Sequence, residues 1–344
     1  MNRRWICNDV WMDIFPSLDR PQLGLKMALL SYRFDALVDT HFDGKTELAL
    51  RNTISIEKGR NPKLSVLILS NFKSVKFSLP DRPLHNKIRF RFLRIDYIDH
   101  FVIKFLHANK HIWDRSGTKL RLWMPSSHHN AAAADVQHIW EIFAHEIWPI
   151  FVTTIRHLSI DREDLDNLRR LISPTILTDL NQLHSIDTGH MSPAADGLCD
   201  DGPNATARQA LAKWLHTPTP NGQPKRLFCE NSIGAYFWVN SFKEKFICAR
   251  TSSVSYKIRF GVFVETASIE EPFELVNEWT KEKLTLIKED AYYWLLKRCP
   301  ISDTAAVKWG NDGNSDNNNN NNKSNFIHFC LVCCESCIGP LSPP

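Results

Sequence analysis

The sequence predicts a mixed α/β (α+β) fold in three parts, on three observations. Short segments with helical apolar spacing crowd the first 42 residues. From about residue 88, strand-like and helix-like segments alternate. After about residue 254 the pattern turns to strands alone. Of 344 residues, 43% are hydrophobic and 23% charged, which supplies a core and excludes wholesale disorder or a collagen-like fibre. The 11 Trp and 20 Phe require many buried rings.

The first helix is read from Val10, Trp11, Ile14, Phe15 and Leu18. Asn8 suits the N-cap and Asp9 the first turn, where the helix dipole favours an anion. Pro16 ends this helix. Asp19 caps a second helix, with Pro21 in its first turn and an apolar set of Leu23, Leu25, Met27, Ala28 and Leu30. Ser31 caps a third, whose stripe is Phe34, Leu37, Val38 and Phe42. So small a unit needs a partner or the rest of the chain to cover an apolar face.

These residues resemble an F-box. The matching positions are Ile6-Cys7, Ile14-Phe15, Leu18-Asp19, Leu23, Leu30 and Arg33-Phe34. Cys7 stands where the motif usually has Pro, and Phe34 where it usually has Trp. The helical pattern alone fits an N-terminal cap on a larger fold; the joint match of the three residue pairs favours the motif. The wording over 6–42 is similar to the large F-box families of nematodes, notably plant-parasitic ones, and that similarity extends to about residue 309. The resemblance implies the substrate-recognition subunit of an SCF-type E3 ubiquitin ligase. A Skp1-like adaptor would be held by Ile6, Val10, Ile14, Phe15, Leu18, Asp19, Leu23, Leu30, Arg33 and Phe34. The adaptor would link to a cullin scaffold, and the C-terminal body would hold a protein target. The alternatives are a protein-interaction solenoid adaptor that recruits no cullin, and an enzyme of unrecognised type.

In the body, strands are expected at Ile88–Ile95, Leu120–Trp123, Ile155–Ile160, Leu183–Ile186 and Arg226–Cys229. Helices are expected over 98–113, 136–151, 162–183 (broken at Pro174), 205–215 and 236–249. The strand spacing, roughly 27–43 residues, is of solenoid size. It suggests an irregular, leucine-rich-repeat-like strand–helix stack, although the strict Leu-x-x-Leu-x-Leu-x-x-Asn pattern is absent. A doubly wound sheet is the rival, but no Gly-x-Gly-x-x-Gly follows a strand. Val254–Val264, Phe273–Trp279, Lys283–Ile287 and Tyr292–Lys297 read as an antiparallel β meander that closes the stack. The expected division is an F-box unit over 1–45, a linker with first strands over 46–87, a target-binding body over 88–309, and a disordered Asn-rich and Cys-rich tail over 310–344.

The formal charge of +4 and pI near 8.5 are weak for a nucleic-acid binder, and none is expected. No run of about 18 apolar residues occurs, and Asp9 and Asp13 interrupt any N-terminal apolar run. A cytoplasmic or nuclear protein without membrane contact is therefore expected, with reduced and mostly buried Cys7, Cys199, Cys229, Cys248 and Cys299. In that setting the sequons at Asn204 and Asn322 carry no weight.

Chemical motifs fail on inspection. Cys330, Cys333, Cys334 and Cys337 lie too close together for an ordinary zinc fold, and no cofactor is expected. His145-Glu146 would need a histidine at Pro149 to form a metalloprotease helix. Gly44-Lys45-Thr46 lacks the first glycine of a P-loop, because position 39 is Asp39. Asp161, Glu163, Asp164 and Asp166 read as a solvated helix entry. The strip from Lys87 to Arg94 reads as a strand with one charged face in water.

Overall fold

The computed structural model describes residues 6–18, 22–42, 48–57, 65–70, 73–80, 83–84, 88–113, 117–124, 133–194, 199–220, 222–230, 235–251, 254–262, 271–301 and 325–331. Their strands form one sheet of thirteen. In chain order these are β1 (Leu48–Glu57), β2 (Ser65–Ser70), β3 (Lys73–Ser78), β4 (Ile88–Ile95), β5 (Thr118–Trp123), β6 (Ile155–Ser159) and β7 (Ser185–Asp187). Then follow β8 (Lys225–Cys229), β9 (Tyr256–Gly261), β10 (Phe273–Asn277), β11 (Glu282–Lys288), β12 (Tyr293–Pro300) and β13 (Asn325–Cys330). Across the sheet the order is β10-β11-β12-β9-β8-β7-β6-β5-β13-β4-β1-β2-β3.

The central strands are parallel, and from β5 to β9 each lies beside its predecessor in the chain. Strands that advance in one direction through right-handed crossovers keep their connecting helices on one face. A doubly wound sheet reverses direction, and this part of the sheet does not. The connecting helices are α4 (His100–Ala108), α5 (Lys110–Trp113), α6 (Ala133–Ile142), α7 (Trp148–Phe151), α8 (Arg162–Leu171), α9 (Ile176–Asp179), α10 (Ala207–His216) and α11 (Ala235–Cys248). In agreement, α6 touches α8, and α8 touches α10.

A single row of aliphatic side chains runs under these helices. Leu93, Ile327, Leu120, Leu158, Ile186, Leu227, Ile258, Leu296 and Leu286 are register partners in succession. All of them are buried. Each contributes about 1.5–3 kcal/mol by leaving water. Their sequence neighbours point to the opposite face, because side chains alternate along a strand.

Local signals explain the helix ends. The Asp99 carboxylate accepts from the Val102 amide (3.0 Å), and the Asp161 carboxylate from that of Asp164 (2.8 Å). Thr206 and Gln209 make a reciprocal capping box. The helix expected over 136–151 is continuous but widens into a π turn at Phe143–Ile147. Pro149 accounts for it: it has no N–H to donate and its ring crowds the carbonyl four residues back.

Two expectations are corrected. The folded body does not end near Trp309: β13 lies between β4 and β5, parallel to both, with Ile327 fully buried. The Leu331 amide donates to the Trp123 carbonyl at 3.1 Å. The strands expected within 46–87 are β1, β2 and β3, at one edge of the same sheet. The C-terminal meander is not entered directly from β9. The chain resumes at the outer edge, in β10, and returns through β11 to β12, which pairs with β9. Asn277 fastens the β10–β11 turn: its carbonyl oxygen accepts from the Trp279 and Thr280 amides, and its amide donates to the Phe246 and Ala249 carbonyls. Of the expected Asn-rich and Cys-rich tail, residues 310–324 and Cys333, Cys334 and Cys337 lie outside the described residues. Cys229 and Cys299 are buried as expected, whereas Cys7 and Cys248 are exposed.

Ile327→Asp tests the role of β13. It places a carboxylate in the buried aliphatic row and should destabilise the chain by about 3 kcal/mol or more in urea unfolding. An unchanged midpoint would show that β13 is dispensable to the sheet.

Candidate functional site

Two surfaces concentrate the features that bind or react. The first is the N-terminal bundle of α1 (Asn8–Ile14), α2 (Ala28–Leu30) and α3 (Tyr32–His41). A 3₁₀ turn at Phe15–Ser17 follows α1, and a π turn at Leu23–Met27 leads into α2. Ser31 caps α3 as expected, its hydroxyl accepting from the Phe34 amide at 3.3 Å. Asn8 is not the cap of α1; that position is Cys7, without a side-chain bond. The Asn8 side-chain oxygen instead accepts from the Arg33 guanidinium at 2.7 and 3.0 Å, and Arg33 also donates to the Ile6 carbonyl at 2.7 Å. This clamp ties the start of α3 to the start of α1.

The bundle sorts the expected adaptor residues into two sets. Phe15 and Leu23 are 0% and 1% exposed, so they fill the interior of the bundle. In such short helices the largest apolar groups are used to close the bundle. Phe34 is half-buried with its ring edge-on to Trp11 at 4.9 Å. Ile14, Leu18 and Arg33 are half-buried as well. Ile6, Val10 and Leu30 face solvent, at 45%, 45% and 63% exposure, and Tyr32 joins them at 85%. Asp19 lies outside the described residues.

The second surface is the sheet face opposite the aliphatic row. One register row carries Lys119, His157, Ser185, Arg226, Lys257 and Lys297. The adjacent row carries Arg121, Ser159, Asp187, Phe228, Arg259 and Leu295. A cavity of about 530 Å³ opens between β7 and β12, lined among others by Arg226, Phe228, Lys257, Arg259 and Leu295. Arg259 is held in place: its Nε donates to the Glu289 carboxylate at 2.6 Å, and its guanidinium lies 4.1 Å from the Tyr293 ring centre and 5.6 Å from that of Phe228. Burial, with the charges of Lys119, His184 and Arg121, pushes the His157 imidazole down to about 3. Burial also lowers His184, assisted by Arg226, Arg156 and Lys119. Both imidazoles are therefore neutral in a positive field, and His157 shares a hydrogen bond with the Ser185 hydroxyl at 2.9 Å.

Neither surface assembles an obvious catalytic set. Cys199 Sγ lies 3.8 Å from His216 Nδ1, but that nitrogen bonds the Ala212 carbonyl at 2.8 Å and so carries its proton there. Burial pushes His216 down to about 4, so it is neutral and its Nδ1 cannot take the thiol proton. A groove of about 430 Å³ between α4 and α6 gathers His100, His138, His145, Glu141 and Glu146. Even so, no group of His, Cys, Asp or Glu among the described residues is arranged to hold a metal ion. Among the described residues no helix is long and apolar enough to cross a membrane.

The expected solvated acidic cluster is corrected at one position. Asp164 is 3% exposed, and one of its carboxyl oxygens has no hydrogen-bond partner. Burial, then the Asp161 charge, raises its pKa well above the usual carboxylate range, partly opposed by a hydrogen bond from the Met124 amide. The signal missed in the sequence was the i, i+1, i+4 stripe Asp164, Leu165, Leu168, which turns Asp164 toward the sheet.

No family model, curated protein or solved structure matches the chain.

Asp164 makes stability depend on pH. The folded state keeps its proton above the pH at which the unfolded chain releases it. Stability from this group is therefore complete below the ordinary carboxylate value and lost as pH rises toward the raised folded value. Asp164→Asn removes the titration, and should raise the thermal midpoint at pH 7.5 by about 2 °C or more while changing it little at pH 4. A midpoint lowered equally at both pH values would contradict the assignment.

Proposed function

We propose that the chain is the substrate-recognition subunit of an SCF-type ubiquitin ligase, with an F-box at its N-terminus and a leucine-rich-repeat-like body that holds a protein target. The observation that carries this reading is the exposed apolar set Ile6, Val10 and Leu30 on a bundle whose own interior is already filled by Phe15, Leu23 and Val38. Side chains exposed on a closed bundle do not serve its folding, and a hydrophobic groove on a Skp1-like adaptor is the partner the sequence resemblance points to. The Arg33 clamp fixes that surface by joining two helices. The one-directional strand–helix stack supports the body as a broad binding scaffold.

In this reading the chain acts by proximity. The adaptor and cullin hold a charged ubiquitin-conjugating enzyme, the body holds the target, and the local concentration of a target lysine rises. The chain supplies no catalytic residue. A protein-binding adaptor that recruits no cullin uses the same surfaces, and the two readings separate on whether a cullin joins the complex.

The test uses the purified full chain and a purified Skp1-like protein. Val10→Asp with Leu30→Asp should weaken capture at least tenfold, because both changes put carboxylates into a desolvated apolar contact. The circular dichroism spectrum should stay unchanged, since both positions face solvent in the free chain. Failure of the unmodified chain to capture the adaptor would end the F-box reading; adaptor capture without a cullin would favour the second.

A further inference from the structure

The open face of the sheet gathers positive side chains from several strands. Arg226, Lys257 and Lys297 are direct register partners on three adjacent strands. Neighbouring strands lie about 4.8 Å apart, and like charges set directly opposite destabilise a sheet. Lys119 and Arg121 on β5 extend the positive surface to the far side of β6 and β7. Asp187, Glu274, Glu289 and Asp290 are among the described carboxylates on this face and its rim; Glu274, two strands beyond Lys297 in the same row, lies 3.7 Å from Lys283, Glu289 is engaged by Arg259, and Asp290 by the Tyr292 and Tyr293 amides. Burial lowers the proton affinities of the His157 and His184 imidazoles, and the neighbouring cations add to the effect.

We infer that this face binds an extended, carboxylate-rich segment of a partner protein, laid across β5 to β12 and seated in the cavity beside Arg226 and Lys257. The inference rests on the reading of the body as a target-binding scaffold and names the chemistry of the target. Its dimensions agree. The five strand spacings from Lys119 to Lys297 cover about 24 Å, which about seven extended residues span. The cavity adds apolar contact through Phe228 and Leu295, so the segment combines acidic and apolar side chains.

A single-stranded nucleic acid fits less well. It would stack bases on exposed aromatic rings, but the Arg259 guanidinium already lies over Tyr293 and beside Phe228. Glu289 and Asp290 also line the cavity, where a phosphodiester backbone would meet like charge. A peptide has backbone N–H groups to present to those carboxylates and places its own acids on Arg226 and Lys257.

Fluorescence anisotropy with the full chain and a labelled decapeptide of alternating Glu and Leu tests the inference. Saturable binding is expected, weakening as salt rises, with none for the matching Lys-Leu peptide. Arg226→Glu with Lys257→Glu should weaken it more than tenfold, because each reversal places like charges together. Arg170→Glu, on an exposed position of α8, should leave it unchanged. No saturable binding, equal binding by the double variant, or tighter binding of a single-stranded RNA decamer would overturn the inference. Adaptor capture is measured on the same preparations. Peptide binding lost with capture intact removes this inference alone, and capture absent with peptide binding intact removes the ligase reading alone.

Discussion

The row of buried aliphatic side chains from Leu93 to Leu286 is the constraint on which the rest of the body depends. It sets the register of every strand it crosses, because a slip of one residue would turn the apolar set to the solvent and the charged set to the core. The helices then have one face to cover. Their own stripes match it: Leu165 and Leu168 on α8, Leu211 and Trp214 on α10, Trp238 and Phe242 on α11 are all buried. The same alternation puts Lys119, Arg121, Arg226, Lys257 and Arg259 together on the other side. The charged face is thus a geometric consequence of the core.

Such a sheet has to be closed at its edges, where unpaired strands invite aggregation. Antiparallel strands do this at both ends, β10 on one side and β2 with β3 on the other. At the β10 end the sheet is fastened to α11 through Asn277 and through a buried ion pair. Arg298 and Glu282 meet at 2.5 Å, both almost wholly buried, and Arg298 also lies 5.2 Å from the Phe246 ring centre. Such a pair costs desolvation, which the mutual attraction of the two groups offsets in the buried site.

The N-terminal bundle follows a different economy of residues. Its few large apolar groups are divided between closing the bundle and facing outward. Phe15 and Leu23 do the first, Ile6, Val10 and Leu30 the second, and Arg33 locks the arrangement by bonding back to Asn8 and Ile6. The polar clamp keeps the outward apolar groups on a preordered backbone.

Period and punctuation made much of this legible in advance. Ser31, Asp161 and Pro174 marked helix boundaries that the structure retains, and the alternation in Ile155–Ser159, Lys225–Cys229 and Tyr256–Gly261 announced strands with one apolar side. These are local effects, decided within a few residues. Four features were not local. β13 pairs with strands more than two hundred residues away, which no window of sequence records. Asp164 meets the backbone of Met124, the residue after β5, from forty positions away. Asn8 gives up its capping role because Arg33 arrives from another helix. Phe15 turns inward while Leu30 turns out, although both stood as equal candidates for a partner surface. In each case the outcome rests on which distant backbone or side chain comes within a few ångströms, and that contact exists only once the chain is folded.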